Sequence, residues 1–230
     1  MFYGDIDNDG EKEIVLGVAR YNNSQIWWGA TINEDIKNFA EIPYNADISL
    51  KFFKLKTGKL ELKKEVIIWK DADIPWSQTF KMRDFKFGDF NRDGLIEVFF
   101  QYEEQATHAK IIQIKGKKVK TLYGGLIGRA IAELKDVDKD GKLEVLEYWD
   151  TLHIASEEER ETILKGHLCA IQIFKWNSVK REYVPWKLVP DIETEKRLTR
   201  EELYHSPGAE EILKGVPESE LKKIYPRAFR

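Results

Sequence analysis

One acidic pattern occurs three times in this chain: Asp, apolar, Asp or Asn, any residue, Asp, Gly, two variable residues, Glu. Each copy runs directly into an apolar, β-type stretch. "GDIDNDGEKEIVLG" begins at Gly4, "GDFNRDGLIEVFFQ" at Gly88 and "KDVDKDGKLEVLEY" at Lys135. The first aspartates, Asp5, Asp89 and Asp136, stand 84 and 47 residues apart. A fixed pattern that returns along a chain implies one supersecondary unit built several times.

A second element repeats in step. "LKFFKLKTGKLELKKEVIIW", "AKIIQIKGKKVKTLYGG" and "CAIQIFKWNSVKREYVPW" each alternate apolar and polar residues around a Gly, Lys or Asn turn. That is the signature of a β-hairpin. Short strands, "KMRDFKFG" and "RAIAELK", precede the second and third loops. One unit therefore reads as loop, strand, insertion, hairpin, strand and next loop, about four strands in all, the content of a propeller blade. The predicted fold is all-β, with about three four-stranded blades over residues 1–190 and a helical tail over 191–230. In the third unit Ser156 and Glu159 predict a capping box, with Gly166 as the helix end. In the tail Thr199 and Ser206 are candidate N-caps, and a further helix is expected over Glu218 to Tyr225. Leu203, Ile212, Leu213, Leu221 and Ile224 would supply its apolar faces.

Clustered carboxylates repel one another unless a cation stands between them. Ca²⁺ takes six to eight oxygens at about 2.3–2.6 Å. Side-chain oxygens at positions 1, 3 and 5, a Gly at 6, a backbone carbonyl at 7 and an acid at 9 wrap one ion. The first loop offers Asp5, Asp7, Asp9, the carbonyl of Glu11, and Glu13. The second offers Asp89, Asn91, Asp93, the carbonyl of Leu95, and Glu97. The third offers Asp136, Asp138, Asp140, the carbonyl of Lys142, and Glu144. A lone copy would read as readily as a polar turn; three copies in register with a hairpin do not. An EF-hand needs Glu at position 12 and helical flanks. Position 12 is Leu16, Phe100 and Glu147, and the flanks are β-branched and aromatic, so that reading is rejected.

"YGDIDNDGEKEIVLGVA" resembles the FG-GAP repeat, also called the VCBS-type repeat, of integrin α-subunit propellers and many secreted bacterial proteins. Tyr3-Gly4 and Phe87-Gly88 stand where that family's "FG" precedes its acidic loop, and Val15 to Ala19 resembles its "VGAP" segment. The third unit has Leu134-Lys135 there, and all three loops carry Glu at position 9 where the family more often has Asp. The resemblance implies a propeller whose loops hold structural Ca²⁺, an extracellular or periplasmic setting, and a non-enzymatic binding, adhesion or scaffold role toward a protein or glycan. It leaves open a propeller domain of a polysaccharide-degrading enzyme or a structural subunit of an extracellular assembly. A closed ring takes about four to eight blades. Upstream blades, a second copy of the chain, or a degenerate blade in "IIWKDADIPWSQTF" (Asp71 and Asp73, no Gly) would complete it.

Other features exclude more than they suggest. Net charge is −3, so no basic field favours nucleic acid. No apolar run reaches the length of a membrane span, and no signal peptide is legible in this chain. The one cysteine, Cys169, reads as a structural thiol. His108, His153, His167 and His205 have no metal-ligand spacing and read as surface or capping residues. "YGGLIGRA" lacks the order of a dinucleotide loop, and "KGKKVK" reads as an exposed hairpin turn. Trp27, Trp28, Trp69 and Trp76 could stack on a sugar, the first two lying in a polar insertion, with blade packing as the plainer reading.

Overall fold

A computed structural model of the chain describes residues 2–21, 24–28, 41–43, 47–69, 79–103, 107–127, 132–206 and 208–229. It is mostly β and holds three antiparallel sheets, none closed on itself. The first contains β1 (Phe2–Gly4), β2 (Glu13–Tyr21), β5 (Asp47–Lys56) and β6 (Lys59–Trp69) in that order, with β3 (Ser24–Trp28) paired to β2. The second runs β10 (Lys118–Ile127), β9 (Thr107–Lys115), β8 (Glu97–Glu103), β7 (Thr79–Gly88), β4 (Glu41–Pro43). The third runs β11 (Ala132–Lys135), β12 (Glu144–Asp150), β13 (Cys169–Asn177), β14 (Glu182–Pro190). Each thus contains the predicted meander: pre-loop strand, post-loop strand and the two hairpin strands. Segment 70–78, with Asp71, Asp73 and Trp76, lies outside the described residues.

The acidic loops are themselves hairpin connections, in one register. Gly4 pairs with Glu13, Gly88 with Glu97 and Lys135 with Glu144. Position 9 is therefore always the first residue of the returning strand. The aromatic-Gly pair before the loop has a local cause in the second copy. A Cβ on Gly88 would stand 2.7 Å from the ring of Phe90 at position 2, inside van der Waals contact. The smaller Val137 stands at position 2 of the third loop, where the preceding residue is Lys135.

Contacts divide the chain into two compact units, residues 1–126 with 180–182, and residues 127–179 with 183–230. In the first, both sheets feed one core that includes Ile6, Val15, Leu50, Phe52, Val98, Phe100, Ile112 and Ile114. Along β5, β8 and β9 the alternate residues Leu50 and Phe52, Val98 and Phe100, and Ile112 and Ile114 face this core, and the residues between them, Lys51, Phe99 and Gln113, are buried as well.

In the second unit the insertion folds as α1 (Thr151–Ile154) and α2 (Glu157–Thr162), and Ser156 and Glu159 form the capping box. The helix ends earlier than expected: Ile163 is its C-cap, and Gly166 takes its left-handed φ of 76° three residues on. The tail carries α3 (Ile192–Glu195), α4 (Arg200–His205), α5 (Ala209–Ile212) and α6 (Glu218–Ile224). Thr199 caps α4 through a second capping box. Ser206 is not an N-cap; it closes α4, and Gly208 opens α5. Leu203, Ala209, Leu221 and Tyr225 bury against Leu168, with Ile212, Leu213 and Ile224 alongside.

A polar knot docks the tail. Glu195, fully buried, accepts from the Cys169 N–H (3.0 Å) and the Tyr225 hydroxyl (3.2 Å) and meets His167 Nδ1 at 2.6 Å. The Tyr225 hydroxyl lies 2.7 Å from the Gly166 carbonyl and accepts from the Leu168 N–H (2.9 Å). His167 is thus a half-buried hydrogen-bonding partner of Glu195, not the surface or capping residue expected. Burial first, then the neighbouring Glu195, Asp191 and Asp150 carboxylates, push the Cys169 thiol up to about 12, so it stays an unreactive thiol at neutral pH.

Candidate metal centres

Each acidic loop is shaped by its own side chains. The position 1 carboxylate hooks the backbone ahead of it. Asp5 accepts from the N–H groups of Asp9 (2.9 Å) and Gly10 (2.8 Å). Asp89 accepts from Asp93 and Gly94, both at 3.0 Å, and Asp136 from Gly141 at 3.0 Å. Position 5 then accepts from the N–H of position 7: Asp9 from Glu11 (3.0 Å), Asp93 from Leu95 (3.0 Å), Asp140 from Lys142 (2.9 Å). These bonds force two left-handed residues. Asn8, Arg92 and Lys139 at position 4 have φ of 57°, 59° and 64°, and Gly10, Gly94 and Gly141 at position 6 have 91°, 84° and 86°. Glycine is needed at position 6 because a side chain there would be strained.

The hooks gather the carboxylates. One oxygen from each of Asp89, Asp93 and Glu97 lies within 4.8 Å of the others, and the same holds for Asp136, Asp138 and Glu144, and for Asp5, Asp7 and Glu13. Asp9, Glu11 and Glu13 make a second group in the first loop. Position 9 is fully buried in all three loops. The Glu13 Oε2, Asp136 Oδ1 and Glu144 Oε1 atoms are buried with no hydrogen-bond partner among the described residues. Such an atom is costly unless a cation meets it. An all-oxygen set with orphaned buried carboxylate atoms fits a hard cation.

The second loop holds its position 9 acid differently. Glu97 accepts from the Phe90 N–H (2.7 Å), the Asn91 amide (3.1 Å) and the Gln113 amide (3.2 Å). Burial, with repulsion from Asp93 and Asp89, pushes its carboxyl up to about 8. Burial also raises Glu13 and Glu144 above the ordinary range.

The pH consequence follows. Folded, metal-free protein keeps the Glu97 proton to about pH 8, while the unfolded chain releases it near the usual ~4.3. The folded state binds more protons across that window, so stability falls as pH rises through it. The lowered carboxyls of Asp9 and Asp140 act in the opposite sense, but only in more acid solution. Melts of the metal-stripped protein should give a lower melting temperature at pH 8 than at pH 5. With Ca²⁺, which displaces the proton, the stabilisation should grow over the same range. A metal-stripped protein that gains stability from pH 5 to pH 8 would contradict this.

Several partners of the loops were not legible in the sequence. Lys63 meets Asp9 (2.5 Å), Glu13 (3.0 Å) and Glu11 (3.2 Å); Lys54 pairs with Glu11 and Lys64 with Asp7. Lys175 pairs with Asp138 and, at 2.9 Å, with Asp140. Asn8 ties the first loop to the second sheet. Its amide donates to the Ile114 carbonyl (3.0 Å) and, at longer range, to those of Ile6 and Ile96, and its oxygen accepts from the Ile96 N–H (2.8 Å). Trp27 and Trp28 fall on β3 opposite Val18 and Gly17; the placement of their side chains lies outside the described residues.

No family model matches the sequence, and no curated protein does. Two solved structures are similar. One is an exotype rhamnogalacturonan lyase, YesX, at 14% identity and a TM-score of 0.36, covering 85% of this chain and 38% of that one. The other is the rhamnogalacturonan lyase YesW, at 12% identity and a TM-score of 0.31, covering 75% of this chain and 37% of that one. The chain spans less than two fifths of either structure. A likeness this distant assigns neither a family nor an activity. Among the described residues no helix is long and apolar enough to cross a membrane.

Proposed function

We propose that the chain is a Ca²⁺-binding β-repeat module of the FG-GAP/VCBS type, non-enzymatic, whose ions stabilise the fold and whose loops and insertions meet a protein or glycan partner outside the cytoplasm. The observation that supports it is the threefold identity of loop form. Three segments far apart in sequence share the Asp hook, the left-handed Gly, the 4.8 Å carboxylate group and the buried position 9 acid. Solvated turns have no need to bury an acid at the same place three times.

Asp5, Asp7, Asp9 and Glu13 would hold one ion, Asp89, Asn91, Asp93 and Glu97 a second, and Asp136, Asp138, Asp140 and Glu144 a third, with the position 7 carbonyls of Glu11, Leu95 and Lys142 adding to each. The ion supplies charge neutralisation between two paired strands, and its binding free energy becomes folding free energy.

The test is thermal melting of metal-stripped protein with Ca²⁺ or Mg²⁺. At a hundredfold excess over Kd each filled loop adds about 2.7 kcal/mol. A rise of roughly 10 °C or more is expected with Ca²⁺ and a small one with Mg²⁺, which keeps its water and suits this loop less well. Asp93→Ala and Asp140→Ala should each remove part of the rise. An unchanged melting temperature at millimolar Ca²⁺ would refute the proposal.

A further inference from the structure

The three loops are alike in backbone but not in the residue that faces position 9 from the neighbouring hairpin strand. Glu97 pairs with Gln113. One step beyond Ile14↔Phe53 the antiparallel ladder places Lys54 across from Glu13, and one step beyond Val145↔Phe174 it places Lys175 across from Glu144. The same register position is thus lysine, glutamine, lysine. The lysines turn into the loops: Lys175 holds Asp138 and Asp140, and Lys54 holds Glu11. The first loop receives two more. The β5–β6 ladder steps from Phe52↔Lys64 to Phe53↔Leu62, so Lys63 is an extra, bulged residue. A bulge turns neighbouring side chains off strict alternation, and both Lys63 and Lys64 reach the first loop from adjacent positions. In the second loop, among the described residues, Asp89 and Asp93 accept only from the loop's own backbone, and Glu97 from neutral donors.

We propose that these lysines are tethered cations that occupy the first and third loops in the metal-free protein, so that Ca²⁺ fills the second loop first and enters the other two only by expelling an ammonium. The inference rests on the Ca²⁺ reading of the loops. Occupation is incomplete by construction. Glu13 Oε2 and Glu144 Oε1 stay without a hydrogen-bond partner beside the lysines, because one ammonium has three donors where an ion takes six or more oxygens. The displaced Lys175 has somewhere to go: its ammonium already lies 5.0 Å from the Trp186 ring centroid, a favourable seat for a cation. The lysines would keep two of the loops folded when Ca²⁺ is scarce, and make the affinity of the second and third loops a property of one cross-strand residue.

The experiment is a Ca²⁺ titration of the full, metal-stripped chain, with the backbone amide resonances of Gly10, Gly94 and Gly141 reporting one loop each. At pH 8.5, with the Glu97 proton released as well, wild type should fill the Gly94 loop at the lowest Ca²⁺. Lys175→Gln should tighten the Gly141 loop about tenfold, within the usual range of a coupling between two binding events, and leave the Gly94 loop unchanged. Lys187→Gln makes the same charge change beside Trp186 (Lys187 lies 3.9 Å from its centroid) without touching a loop carboxylate, and should shift the Gly141 loop by less than about twofold, as a screened surface charge does. Gln113→Lys should weaken the Gly94 loop. Simultaneous filling of all three loops, or equal effects of Lys175→Gln and Lys187→Gln, overturns the lysine proposal alone. If no glycine amide responds to millimolar Ca²⁺ in any variant, the Ca²⁺ reading falls, and the lysine proposal with it.

Discussion

Tyr225→Ala is expected to destabilise the unit of residues 127–179 and 183–230 by about 3–5 kcal/mol, the usual cost of removing a fully buried aromatic side chain. Tyr225 is 0% exposed, lies among Leu168, Leu203, Ala209 and Leu221, and joins the apolar cluster to the polar knot of the tail. Its hydroxyl contacts the Gly166 carbonyl, the Leu168 N–H and Glu195. Tyr225→Phe separates the two contributions. It keeps the ring but leaves the Leu168 N–H and one Glu195 contact unmade, for a loss of about 1–3 kcal/mol. Urea denaturation measures both. If the alanine variant loses less than the phenylalanine variant is expected to lose, the tail is not docked as described. Proteolysis should release the tail of the alanine variant first.

Asn8→Ala is expected to cost the first unit about 2–5 kcal/mol. The loss has two parts: hydrogen-bonding groups of Ile96 and Ile114 left unpaired, at about 1–3 kcal/mol, and an alanine held in the left-handed region, at about 1–2 kcal/mol. The φ of 57° is the same in kind as those of Arg92 and Lys139 at the equivalent positions. Asn8→Gly relieves the backbone term and keeps the hydrogen-bond loss, so it should lie between wild type and alanine. Equal losses for glycine and alanine would assign the whole effect to the bridge. A wild-type melting curve for Asn8→Ala would show that the first loop is not tied to the second sheet through this residue.

What the sequence disclosed was local and periodic. Loop position, loop register and the four-strand meander follow from a nine-residue pattern and from alternation within hairpins, and both are visible without tertiary contacts. The capping box at Ser156 and the N-cap at Thr199 are legible for the same reason: each rests on residues three apart. What escaped depends on partners distant in the chain. Lys63 and Lys64 read as part of an alternating strand, and only the bulge shows why neighbours reach the same loop. Lys175 lies 37 residues from Asp138 in the chain, and Asn8 lies 106 from Ile114. No window in the sequence joins them. His167 read as a surface group because its partner, Glu195, arrives with the tail. Ser206 was misread for a simpler reason: a serine before a proline and a glycine can close one helix as well as open the next, and here it closes α4.

Whether metal sits in the loops decides the function proposed for them. The most direct measurement is a crystal structure of the protein grown with Ca²⁺, with the ions located by their anomalous scattering. A peak is expected in the second loop with oxygens of Asp89, Asn91, Asp93 and Glu97 at about 2.3–2.6 Å, and peaks in the first and third loops at higher Ca²⁺. Loops of the same backbone form with no anomalous peak at saturating Ca²⁺ would contradict it, and would make the three acidic segments hairpin turns held by their own hydrogen bonds and lysines.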